Sequence, residues 1–131
     1  MDVTLDTSVI IAVIAQEPER DALIKATKGA NLIAPPSVHW EIGNAFSAML
    51  RRGRIQLEDA QKAVEVYRRV PIRFVDVELG EALQIASTLC IYAYDAYLIL
   101  CALKYKAPLI SLDQHLIESA RRMHVEIVEV L

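Results

Sequence analysis

Hydrophobic and polar positions change their period repeatedly along this chain. Short runs rich in β-branched residues fall at 2–6, 31–34 ("NLIA"), 72–77 ("IRFVDV"), 108–112 ("PLISL") and 125–130 ("VEIVEV"). Between them lie longer segments in which apolar residues recur every three or four positions. The pattern predicts five strands, with helices over about 8–16, 19–28, 36–53, 57–70, 78–90, 94–106 and 114–123. Pro35 and Pro36 open one helix and Pro108 closes another. Strands alternating with helices imply an α/β fold with a mainly parallel sheet, because parallel neighbours need crossover connections. No repeat, low-complexity run or long linker interrupts residues 1–131, which predicts a single domain.

Composition narrows the setting. Hydrophobic residues make up 54% of the chain and mean hydropathy is +0.30. Charged residues nonetheless interrupt every apolar run well short of the ~18 residues that a membrane helix needs, so no membrane span is expected. The opening "MDVTLD" is not a basic leader followed by an apolar stretch, and the expected location is the cytoplasm. Cys90 and Cys101 sit in helix-like segments without a CxxC or His-rich context, which favours buried apolar positions over a disulfide or metal ligation.

A formal net charge of −3 gives the molecule no overall attraction for a polyanion. It does not exclude nucleic acid, because an enzyme acting through divalent cations gathers carboxylates and the metal reverses the local field. Arginines also cluster, at Arg51, Arg52 and Arg54 and at Arg68, Arg69 and Arg73; each group is either a phosphate contact or a solvated helix end. Several helices carry more Leu, Ile and Val than one small core uses, and a partner surface is expected.

Candidate chemistry rests on four acids. In open parallel sheets, function gathers beyond the carboxyl ends of the strands. Asp6, in "VTLDTSVI", and Asp113, in "LISLDQHL", both stand where a strand gives way to a helix. Either can cap the helix or bind a cation. Glu41 borders the apolar stripe of Val38, Ile42, Ala45, Phe46 and Met49, and Asn44 follows one turn later, within reach of Glu41 or a bound water. Asp95 stands one turn before Leu98, Ile99, Ala102 and Leu103, in line with that apolar face. Two acids at strand ends and two on helices facing the sheet make an oxygen donor set of the kind that Mg2+ and Mn2+ prefer.

The segments "LDTSVII" with Asp6 and Ser8, "PPSVHWEIGNAF" with Glu41 and Asn44, "YAYDAYLILCAL" with Asp95 and "APLISLDQHL" with Ser111 and Asp113 together resemble a PIN domain over essentially the whole chain. Within that superfamily the sequence is similar to the VapC-type toxin ribonucleases of toxin–antitoxin pairs. The resemblance implies a three-layer α/β/α sandwich around a parallel sheet, with Asp6 and Asp113 on strands adjacent at its centre and Glu41 and Asp95 supplied by helices above their ends. It implies RNA cleavage dependent on Mg2+ or Mn2+, with Asp6, Glu41, Asp95 and Asp113 as catalytic metal ligands and Ser8, Asn44 and Ser111 supporting them. A homodimer and a protein antitoxin are the implied partners.

Other chemistries fit less well. His39, His115 and His124 show no spacing of a general acid and base on one element and are expected to be structural or exposed. Tyr92, Tyr94 and Tyr97 flank Asp95 and are expected to pack against helices rather than stack on bases. A phosphotransfer enzyme with Asp6 as nucleophile needs a second acid where Ser8 stands. A non-catalytic PIN-like module that binds RNA or protein, and a PIN nuclease of housekeeping RNA processing, are the alternatives.

Overall fold

The computed structural model describes residues 1–131. In chain order the elements are β1 (Asp2–Leu5), α1 (Thr7–Ile14), α2 (Arg20–Thr27), β2 (Asn31–Ala34), α3 (Ser37–Arg51), α4 (Leu57–Tyr67), β3 (Ile72–Phe74), α5 (Leu79–Leu89), α6 (Ala93–Tyr105), β4 (Leu109–Ile110) and α7 (Gln114–Arg122). The four strands form one parallel sheet in the order β3-β2-β1-β4, flanked by the seven helices. The α/β class and parallel sheet expected from the alternating periods are what the chain adopts.

β1 is buried on both faces, as a central parallel strand must be when helices cover both sides: Val3, Thr4 and Leu5 are 1%, 0% and 3% exposed. Thr4 is tolerated there because its hydroxyl donates to the carbonyl of Ala107 at 3.1 Å. It faces α6, whose Cys101 sulfur lies 3.9 Å away, and its register partner Ile33 joins Cys101, Val75 and Ala107 in a small cluster. α1 packs with α2, α3 and α4, while α6 packs on β1 and β4. α5 lies against α6 after a 112° bend, turned at Cys90 in the left-handed region. No single helix is long and apolar enough to cross a membrane.

Three sequence expectations change. Residues 125–130 form no strand: Ile127 makes one parallel bridge to Leu109, through bonds from Leu109 N to the Glu126 carbonyl and from Val128 N to the Leu109 carbonyl. β4 is only two residues long, so its outer edge offers too few backbone groups for a second ladder. The strand expected over 72–77 stops at Phe74, because the Asp76 carbonyl is taken by Tyr105 Oη at 2.8 Å and Lys104 Nζ at 3.3 Å. Cys90, expected in the buried part of a helix, is exposed at the end of α5, whereas Cys101 is buried.

Candidate active site

Leu5 pairs with Ile110, so β1 and β4 end level and the chain leaves both strands side by side. Asp6 follows β1 with extended backbone, and its carbonyl accepts from Val9 and Ile10 at the start of α1. Its side chain does not cap that helix. Instead Oδ2 accepts the hydroxyl of Ser8 at 2.6 Å and that of Ser111 at 2.7 Å. Those hydroxyls in turn accept from the backbone N–H of Leu112 at 3.0 Å and of Asp113 at 2.9 Å. A serine has one proton to give, and both are spent on Asp6, so a buried carboxylate is fixed in one orientation with Oδ1 left free of hydrogen bonds.

Asp113 behaves differently at the equivalent place after β4. Its Oδ1 accepts from the backbone N–H of His115 at 3.0 Å and of Leu116 at 3.3 Å, the N-cap of α7, and the residue is exposed. One oxygen therefore holds the helix and the other is open. Asp113→Ala is expected to lower unfolding stability by about 1 kcal/mol through loss of this cap, whereas Asp113→Asn should lose far less, as thermal or urea unfolding would show.

Glu41 lies in the second turn of α3 and Asp95 is the third residue of α6. Glu41 Oε1 is buried without a hydrogen-bond partner, and so is the hydroxyl of Thr7. Burial first, and then the negative charge of Asp6, push the Glu41 carboxyl up to about 7; the neighbouring Thr7 hydroxyl offsets part of this, and Asp95 adds to it. The Asp95 carboxyl is also raised, by burial and then by the charges of Asp113 and Asp6, against the opposing pull of His115. The acids from the end of β1, from α3 and α6 and from the start of α7 thus feel one another. No lysine or arginine forms an ion pair with any of them. Their one basic neighbour is His115, 71% exposed, with Nδ1 3.7 Å from Asp95 Oδ2.

Ser8 and Ser111 meet Asp6 directly, while Asn44 is exposed and makes no side-chain hydrogen bond to Glu41. As the side chains stand, no three His, Cys, Asp or Glu residues converge into a complete metal-ligand set. Two residues stand at the site that the sequence did not mark for it: His115, expected only to be structural or exposed, and Thr7. His115 is placed by the cap itself, since a residue two beyond an N-cap acid lies in the helix's first turn beside it. Thr7 follows Asp6 at the start of α1 and neighbours Glu41, a position that periodicity alone does not mark.

The parallel α/β sandwich thus brings acids together beyond the ends of the two adjacent strands β1 and β4. The PIN domain family model matches residues 3–122, and the chain belongs to that family. PIN domains are generally nucleases. No curated protein matches the sequence. Among solved structures, PAE2754 from Pyrobaculum aerophilum shares the fold with a TM-score of 0.70 at 24% identity, over 91% of this chain and 87% of that one. VapBC2 from Rickettsia felis, bound to a DNA fragment from their promoter, does so with a TM-score of 0.67 at 15% identity, over 98% of both chains.

Proposed function

We propose that the protein is a divalent-metal-dependent endoribonuclease and the toxin of a toxin–antitoxin pair. The observation that carries the metal dependence is Glu41 Oε1: a buried carboxylate oxygen with no hydrogen bond of good geometry and only the Thr7 hydroxyl beside it, on a group raised first by burial and then by the charge of Asp6, in a cluster with no lysine or arginine ion pair. An all-oxygen donor set of this kind fits Mg2+ or Mn2+. Asp6 through its free Oδ1, Glu41, Asp95 and the open oxygen of Asp113 would hold the ion. A divalent cation supplies a more acidic bound water and positive charge for the phosphate oxygens.

The chain's own residues do the positioning. Ser8 and Ser111 fix Asp6, and the cap at Asp113 ties α7 to the end of β4. Attack by water on phosphorus breaks the bond to the 3′ oxygen, which takes a proton; the products carry a 5′-phosphate and a 3′-hydroxyl. The fold shared with VapBC2 supports a protein antitoxin as partner, and the apolar side chains left exposed, among them Trp40, Leu79 and Leu83, support a homodimer.

Incubation with a pool of structured and single-stranded RNAs in Mg2+ or Mn2+, against EDTA and an Asp95→Asn control, with product ends mapped, tests this reading. Cuts that need metal and are lost in Asp95→Asn are the expected result. Absence of cuts with either metal, or full activity in Asp95→Asn, would overturn it.

A further inference from the structure

We infer that Arg51 and Arg52, at the far end of α3, form a backbone-binding subsite for the RNA, joined to the acids by the open surface of that helix. The inference rests on the nuclease reading above. α3 runs from Ser37 to Arg51, and Arg52 is its C-cap. Glu41 and Arg52 are eleven residues apart, which at about 100° and 1.5 Å per residue places them only about 20° apart around the axis and roughly 16 Å apart along it. Ala45 and Ala48, both half-buried and Ala45 packed against the core, lie between them, and the open face of the helix beside that line is formed by Gly43, Asn44, Ser47 and Arg51.

Asn44, exposed on that face, offers hydrogen bonds to sugar or phosphate, whereas the Ser47 hydroxyl donates to the Asn44 carbonyl at 2.8 Å and has only its lone pairs left to offer. At its end, Ala48, Arg51 and Arg52 line an open hollow of about 290 Å³. Neither arginine makes an ion pair or a side-chain hydrogen bond within the protein, although Glu58 and Asp59 follow closely in sequence at the start of α4. Two guanidinium groups left without internal partners beside a hollow are equipped to bind phosphate in bidentate fashion.

The distance suits a strand of RNA. At roughly 3.4 Å per nucleotide in a stacked strand, 16 Å corresponds to about five phosphates, and to fewer if the strand is extended. An acidic peptide would also meet the arginines, but continuing along α3 it would run into the acids with nothing to neutralise them. RNA is the ligand for which the two ends of the track have complementary tasks. Arginines at a helix C-terminus also complement the helix dipole, so the test must separate binding from stability.

The double variant Arg51→Gln/Arg52→Gln and the parent protein are compared for binding of fluorescein-labelled single-stranded RNAs of 4 and 12 nucleotides with Ca2+ in place of Mg2+ or Mn2+, so that the acids are neutralised, by anisotropy over a salt series, with thermal unfolding as control. The parent should bind the 12-mer at least tenfold more tightly than the 4-mer. The variant should lose that advantage, and its slope of log K against log salt should be shallower by about 1.4, at 0.7 per phosphate contact on a single strand. Equal binding of the two lengths by the parent, or an unchanged 12-mer affinity in a folded variant, would overturn the subsite. Cleavage separates the two readings. If the arginines hold the 12-mer but Mg2+ or Mn2+ yields no cuts, the subsite stands and the nuclease reading falls; if RNA is cut equally well by parent and variant at both lengths, the reverse holds.

Discussion

Asp6→Asn is expected to lower RNA cleavage by at least about a hundredfold while raising the thermal stability of the metal-free protein. Losses of 10- to 100-fold are typical when residues that only orient a metal ligand are replaced, and a direct ligand carries more. Asparagine keeps the shape of Asp6, and its amide oxygen can accept from Ser8 and Ser111 in place of Oδ2. The geometry at the end of β1 should therefore survive. What disappears is a negative charge that raises both Glu41 and Asp95. Removing it relieves repulsion in a partly buried cluster, so the Glu41 carboxyl should titrate lower, which NMR of the side-chain carboxyl would follow. Cleavage near the parent rate would refute the site; loss of cleavage accompanied by a lower melting temperature would show that Asp6 acts mainly in folding. Opposite signs for stability and activity are the mark of residues placed for function rather than for the fold.

Sequence pattern and structure agree where burial is governed by period, and part where hydrogen bonds decide. The strand and helix order follows from β-branched runs such as Val3 to Leu5 and from three- and four-residue spacing in α3 and α6, because one sheet covered on both sides leaves little freedom in which faces are buried. The run 125–130 alternates as well as any strand, yet the two residues of β4 cannot support a ladder beside it. No local pattern reports the length of a neighbouring strand.

The acids show the same division. All four were visible as carboxylates at strand ends or on apolar helix faces, and the question left open for Asp6 and Asp113, cap or not, is answered in opposite ways. Ser111 lies across from Asp6 and draws its carboxylate away from the helix end, whereas nothing competes for Asp113, and it caps α7. That choice depends on a contact across 105 residues, which no spacing encodes. Asn44 illustrates the converse: helical spacing put it near Glu41, but at the surface its side chain has water as an equal partner.

Stability without metal should fall as pH rises from about 4.5 to 7, the reverse of ordinary acid denaturation. The Glu41 carboxyl has an ordinary value of 4.5 and is held at about 7 in the fold. Below 4.5 it is protonated in both folded and unfolded chains and contributes nothing. Between 4.5 and 7 the unfolded chain has released the proton and the folded one still holds it, so stability declines with pH. Above 7 the full cost of a charged Glu41 is present. Asp95, raised for the same reasons, acts in the same direction. A pKa unit corresponds to about 1.4 kcal/mol; because Glu41 is partly exposed, screening reduces the effect to roughly 1–2 kcal/mol, or about 3–8 °C in melting temperature. A cation that binds only the folded, ionised cluster stabilises it by mass action, so the gap between melting in Mg2+ and in EDTA should be small at pH 5 and widest above pH 7. Glu41→Gln should flatten the EDTA profile and narrow that gap. Melting in EDTA that rises steadily from pH 5 to 8, or a gap that Glu41→Gln leaves untouched, would mean that the strain at Glu41 is relieved by something other than a cation.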